Sequence, residues 1–313
     1  MKNIFKQEVY YLIHSKMLWI LSASVVLLVI LGAIQSVNQQ KSNLIQFEET
    51  RKLYSTETAF LKDLNIPYKE EQSQEGKIIN DSVTNAANYS FSNLKKSNFQ
   101  LTLLGFPLFI VEYIGLILFP LIIGISAILI ATNDYVSGTY KRKLGFYKWS
   151  DILAGKLFAG LSILSNLYIL AIFLSMIFGI FLSKLIDEIN LNKYKGSVQL
   201  PTLTDGIKLV FSVFMIGIII FIICFFTALA IKNRIVSLVA FLIYNLIIPN
   251  FGRYDFKNAI MNVFSEASDK ILGQQVPVIP VNQTISATLI IIYLLLIVSG
   301  SLIVFNRYTK YTL

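Results

Sequence analysis

Cysteine and histidine are almost missing from this 313-residue chain, which holds one of each, Cys224 and His14. A lone cysteine rules out intramolecular disulfides as staples for any external segment. One Cys and one His leave no ligand set for a structural zinc site, and no second imidazole exists to serve a nucleophilic triad. No Gly-x-x-x-x-Gly-Lys-Ser/Thr run occurs, so the chain is not expected to bind or hydrolyse ATP itself. Its acids outside the apolar runs are scattered, with no spacing that nominates a catalytic pair. No catalytic residue, metal ligand or bound cofactor is therefore assigned to it. Charge is scarce as well, at 14% of residues against roughly 25% in soluble domains.

What fills the space is apolar: 55% of the residues are hydrophobic, and the mean hydropathy is +0.65. A hydrocarbon core needs about 20 apolar residues per helix. Runs of that kind fall at 17–36, 104–132, 157–183, 208–231, 235–249 and 285–306. The expected fold is an all-α polytopic membrane protein with six transmembrane helices and both termini on one side. Lys and Arg near span ends mark the cytoplasmic face. The set Lys2, Lys6, Lys16, Lys141, Arg142, Lys143, Lys148, Lys156, Lys232, Arg234, Arg307 and Lys310 meets only Glu8, Asp134 and Asp151. That side thus carries the whole net charge of +9. The basic balance is explained by membrane orientation, and no nucleic-acid partner is needed.

The connecting segments differ in kind. Residues 1–16 place Asn3, Gln7 and His14 on one helical stripe and Phe5, Val9, Leu12 and Ile13 opposite, an N-terminal amphipathic helix lying at the membrane interface. The alternative is a plain cytoplasmic extension of the first span. That span is read as an uncleaved helix, not a signal peptide. Residues 37–103 form a small external subdomain, too long for a turn and too polar for a large core. In it Leu44 to Leu64 and Asp81 to Leu94 have helix-like runs, and Glu70 to Gly76 reads as loop. Residues 184–207 form an external loop and 307–313 a cytoplasmic tail. The second span is overlong and holds Pro107 and Pro120, so it bends or begins outside. Glu112 then falls at its outer boundary, as an interfacial, solvated or Lys-paired carboxylate. Only Lys232-Asn233-Arg234 separates spans four and five. Span five is short, and 250–284 contains an amphipathic run from Phe256 to Leu272 that lies on or dips into the membrane.

The most informative stretch is 133–156. It runs Asn133-Asp134-Tyr135-Val136-Ser137-Gly138-Thr139-Tyr140-Lys141-Arg142-Lys143 and ends Trp149-Ser150-Asp151-Ile152-Leu153-Ala154-Gly155-Lys156. Gly138 can end a span by a positive φ or a close approach. Thr139 can cap a following short helix, and the basic run can meet anionic headgroups or an acidic partner. A Gly-Thr turn with flanking basic residues can also do no more than obey the positive-inside rule.

This hairpin resembles that of the membrane subunits of ABC-2 type transporters, in particular those serving antimicrobial-peptide, lantibiotic or drug export and immunity. In that family an acidic or aromatic residue precedes a Gly-Thr pair at the cytoplasmic end of the second span, and a Lys opens the third. Here Asp134 stands where Glu is commoner, and Tyr147, Lys148 and Trp149 replace the usual Pro and Arg. The resemblance implies a short coupling helix that docks on a separate ATPase subunit, with Asp134, Tyr135, Gly138, Thr139, Tyr140, Arg142, Tyr147, Trp149 and Lys156 as the coupling residues. It further implies ATP and Mg on that partner, and a second permease subunit, identical or homologous, in a bacterial cell membrane. A substrate path between subunits would use Glu112, Ser126, Ser162, Asn166, Ser212 and Asn245, residues that otherwise serve helix packing. The aromatic-rich spans suit an amphipathic or hydrophobic cargo, whether peptide, drug or lipid. A sensor or scaffold subunit whose 37–103 region binds an external ligand is the alternative, and a carboxylate-only membrane enzyme comes third.

Overall fold

The computed structural model describes residues 2–68, 70–75, 78–115, 118–185, 194, 200–248, 250–268 and 279–311. Helix accounts for most of them. The helices are α1 (Lys2–Ile13), α2 (Lys16–Lys52), α3 (Glu57–Leu64), α4 (Ala86–Gln100), α5 (Gly105–Gly115), α6 (Leu118–Val136), α7 (Tyr140–Leu144), α8 (Trp149–Leu182), α9 (Leu203–Ile231), α10 (Arg234–Leu242), α11 (Phe256–Ser268) and α12 (Gln283–Tyr311). Five of them are long and apolar enough to cross a membrane, at Lys16–Lys52, Phe119–Val136, Trp149–Leu182, Leu203–Ile231 and Gln283–Phe305. The expected sixth crossing is a shorter apolar helix, Arg234–Ile247, whose last turn is a π-helix at Ile243–Ile247.

The chain divides into two compact units, one made of Met1–Leu27, Val111–Ile172 and Leu203–Leu313, the other of Leu28–Ile110 and Phe173–Thr202. In the first, α9 packs on α6, α10, α11 and α12. Its core alternates small and large residues: Ala127, Ala131, Ala159 and Ala228 let helices approach, and Ile123, Ile130, Phe221 and Phe225 fill the space between. Small residues at helix contacts are how apolar helices associate where lipid is as apolar as leucine.

The second unit has a small aromatic core of its own. Phe47, Phe60, Phe91 and Tyr194 meet edge to face or tilted, with centroids 5.5 to 6.3 Å apart, packed with Leu64, Ala87 and Leu94. Asparagines fasten it. Asn85 Oδ1 caps α4 by accepting from Asn88 N at 3.1 Å, while its Nδ2 donates to Asp63 O and Ile66 O.

Several boundaries differ from the sequence reading. At about 1.5 Å per residue α2 is roughly 55 Å long, so it continues well past a hydrocarbon core of about 30 Å. The run from Leu44 to Leu64 is split between the last turns of α2, ending at Lys52, and the separate helix α3. The overlong second span is two helices, with Pro107 in the first turn of α5 and Pro120 in the first turn of α6. Proline suits a first turn because its missing N–H would have no intrahelical acceptor there. The 70–83 segment, read as loop and helix start, forms an antiparallel ribbon, β1 (Glu70–Glu75) with β2 (Ile78–Val83), pairing Glu70 with Val83. Of the Phe256–Leu272 run, the part to Ser268 is helical and Leu272 lies outside the described residues.

Candidate functional site

Gly138 ends α6 with φ +67°, and nothing lies within 4 Å of where its Cβ would be. Of the two roles open to it, the positive φ is the one in use. The chain turns there into α7, the five-residue helix at the tip of the hairpin. Thr139 does not cap that helix; its hydroxyl donates instead to Asp134 Oδ1 at 2.8 Å. The reason is that Asp134, one turn back in α6, is the centre of a buried ionic cluster. Lys143 Nζ lies 2.9 Å from Asp134 Oδ1, and Lys156 Nζ lies 2.8 Å from Asp134 Oδ2. Lys143 also pairs with Glu8 of α1. Exposures of 5% for Glu8, 3% for Asp134 and 3% for Lys156 put these charges out of solvent.

Two anions and two cations make the cluster neutral, and each anion meets a cation. That balance is required, because a buried charge without a partner is costly whereas a well-paired one is tolerated. Lys156 Nζ also donates to Ile130 O at 3.3 Å. Burial pulls the Lys143 ammonium down in pKa, but its contacts with Glu8 and Asp134 outweigh that and hold it above the usual lysine value. The four side chains come from α1, α6, α7 and α8, so one cluster joins the tip helix α7 to the two flanking spans and to α1.

An aromatic wedge backs the cluster. Tyr140 stacks on Tyr135 at 4.9 Å and meets Phe305 of α12 edge-on, and Trp149 lies 5.6 Å from the same ring. Burial, helped by the charge of Asp134, pushes the Tyr140 hydroxyl up to about 12. Tyr140 and Trp149, expected as anchors for a partner, thus face inward and line a small cavity with Tyr135, Lys156 and Phe225. The outward face of the tip is different. Phe146 is 80% exposed and Tyr147 37%, beside exposed Lys141, Arg142 and Lys148. Backbone bonds from Phe146 N and Tyr147 N to Lys143 O set that turn. Phe146 was missed in the sequence because an apolar residue between two spans reads as span edge. A Phe between Gly145 and Tyr147, with Lys141, Arg142, Lys143 and Lys148 close by, was the available signal.

The adjacent turn is tied to the same region. Lys232 adopts φ 58° and Asn233 caps α10, accepting from Ile235 N and Val236 N. Arg234 then reaches Thr132 and Asn133 at the end of α6.

The proposed path residues are dispersed. Glu112 is 3% exposed, which corrects the solvated reading: it sits within α5, not at the rim of one long helix. Ser126 and Ser162 donate to carbonyls of their own helices, Ile123 O and Phe158 O. Asn166 donates to Ser162 O and is exposed. Ser212 is half-buried. The backbone carbonyl of Asn245 accepts from Lys257 of α11, which also bonds Ile248 O at 2.7 Å. Among the described residues, Ser162 and Asn166 are the only two of the set that a hydrogen bond joins.

A family profile described as ABC-2 family transporter protein matches residues 2–241. No curated protein and no solved structure matches the chain significantly.

Proposed function

The chain belongs to the ABC-2 transporter family, and on that premise we propose that it is the membrane-spanning subunit of an ATP-driven exporter, coupled to a separate ATPase through the 133–156 hairpin. The observation that carries this reading is the two-sided hairpin. Its base is locked by a neutral buried cluster, while its tip offers Phe146, Tyr147, Arg142, Lys141 and Lys148 outward. A rigid base with an aromatic and basic tip suits a partner that pushes on it, because hot spots favour Trp, Tyr and Arg in desolvated pockets.

In this account ATP and Mg are held by the partner, and the hairpin, both termini and the Lys232 turn are cytoplasmic. Helix α10 with its π turn makes the sixth crossing, spanning where the bilayer thins. A second copy or homologue of the chain completes a path at the subunit interface, and the cargo is an amphipathic or hydrophobic peptide, drug or lipid. Expelling a membrane-inserted toxic peptide would confer immunity to it. The unit made of Leu28–Ile110 and Phe173–Thr202, with its own aromatic core, keeps a second reading in view, a sensor that binds an external ligand without transport.

The test is purification of the tagged chain from its native membrane in mild detergent. An ABC ATPase should accompany it, and hydrolysis should vanish when that subunit is stripped away. A chain that copurifies only with a kinase or regulator would favour the sensor, and hydrolysis by the pure polypeptide would refute the division of labour.

A further inference from the structure

Helix α1 looks from its sequence like a surface helix that happens to precede the first span, yet two independent contacts lock it to the hairpin. The first is ionic: Glu8, 5% exposed, pairs with Lys143, which it shares with Asp134. The Lys143 ammonium also lies 5.8 Å from the ring centre of Tyr11, one turn further along α1. The second is a close approach of backbones. Ile4, 1% exposed, sits over Gly155 of α8, where an added Cβ would lie 2.7 Å from Ile4 Cγ2 and 3.4 Å from Phe5 N. Leu12 joins the core of the same unit, with Phe5 and Val9 packed against it.

The geometry points to Glu8 as a positioning residue of the coupling assembly, one that binds α1 to the hairpin so that the two move as a single body. Packing holds α1 against α8, and Asp134 holds Lys143 to α6, but neither of these ties α1 to α7. The Glu8–Lys143 pair supplies that tie, and Lys143, the last basic residue of α7, has only 13% of its side chain in solvent. A displacement of the tip by a partner is then delivered to α1 as well as to α6 and α8. This goes beyond the proposed coupling surface, which concerns only the outward face of the tip.

Spin labels at Tyr10→Cys and Gly145→Cys, both exposed positions and neither among the side chains offered to the partner, in a Cys224→Ser background, read the relation directly by pulsed dipolar spectroscopy. In the detergent-purified chain without partner, the expected result is one narrow distance peak, retained in Lys6→Gln and lost to a broad distribution in Glu8→Gln. A Glu8→Gln peak as narrow as the parent's would overturn the proposal. With the ATPase subunit added, which rests on the proposed function, the parent peak should keep its mean between ATP-bound and ADP-bound states. A shift there refutes single-body motion, and this arm decides the matter alone if Glu8→Gln is not monodisperse. Failure of the ATPase to bind bears on the proposed function and leaves the partner-free arm intact.

Discussion

Replacing Asp134 by Leu removes the hub of the cluster, and the structure sets the size of the effect. The substitution deletes pairings to Lys143 at 2.9 Å and Lys156 at 2.8 Å and an accepted bond from Thr139 at 2.8 Å. Lys143 keeps Glu8, but Lys156, 3% exposed, is left with only the Ile130 carbonyl. Breaking a buried pair from one side costs about 3–5 kcal/mol, whereas replacing both members by apolar residues is often close to neutral. Asp134→Leu should therefore cost about 3–5 kcal/mol, and Asp134→Leu with Lys156→Met should be milder than either single change. The residual loss in the double variant is about 1 kcal/mol for the Thr139 bond. In a Trp19→Phe background, unfolding in mixed micelles can be followed by the fluorescence of Trp149, which lines a small cavity with Lys156. Independent sites add within about 0.3–0.5 kcal/mol. A double variant whose loss equals the sum of the two singles would refute the claim that these charges form one neutral unit.

Three further outcomes are expected. Gly138→Ala should cost about 1 kcal/mol because of its positive φ, while Gly145→Ala, at φ −67°, should stay within about 0.5 kcal/mol; equal effects on thermal unfolding would contradict the assignment. Because its partners hold Lys143 above the usual lysine pKa, its contribution to stability is fully present below about pH 10.4 and is lost as pH rises through the higher folded value. The stability gap between the parent and Lys143→Met should thus be flat across the neutral range and close only in strong alkali, and a gap that closes near neutrality would show the sign to be wrong. Single cysteines at positions 75 and 265 should react with an impermeant maleimide in intact cells and one at 145 should not, so labelling at 145 reverses the orientation.

The all-helical membrane character was legible because long apolar runs are local signals, and five of them form helices long enough to cross a membrane. The turn around Lys232-Asn233 came from the same kind of evidence, while Gly138 left a positive φ and a close approach both open until the structure showed φ +67°. What sequence could not supply were the pairings across long separations. Glu8 and Lys143 are 135 positions apart, and nothing in either neighbourhood marks one as the other's partner. Thr139 illustrates the competition: a threonine before a short helix ordinarily caps it, but a buried carboxylate one turn away is the stronger acceptor. The 70–83 ribbon was hidden for a different reason, since β1 is wholly polar and has no alternation of apolar and polar residues to announce a strand. The sequence places Tyr140 and Trp149 as outward anchors because both flank the basic tip, and only the position of Phe305, from the last helix, turns them inward.

The central claim is that the outward face of the hairpin is where the ATPase docks. Phe146→Ala combined with Arg142→Ala leaves the buried cluster and the aromatic wedge untouched, so the chain should insert, remain monodisperse and keep its Trp149 signal. Losing two anchors of this kind removes on the order of 2–4 kcal/mol of binding, enough to strip the ATPase during mild-detergent copurification. Recovery of the ATPase at the parent's ratio, with its hydrolysis unchanged, would contradict the account.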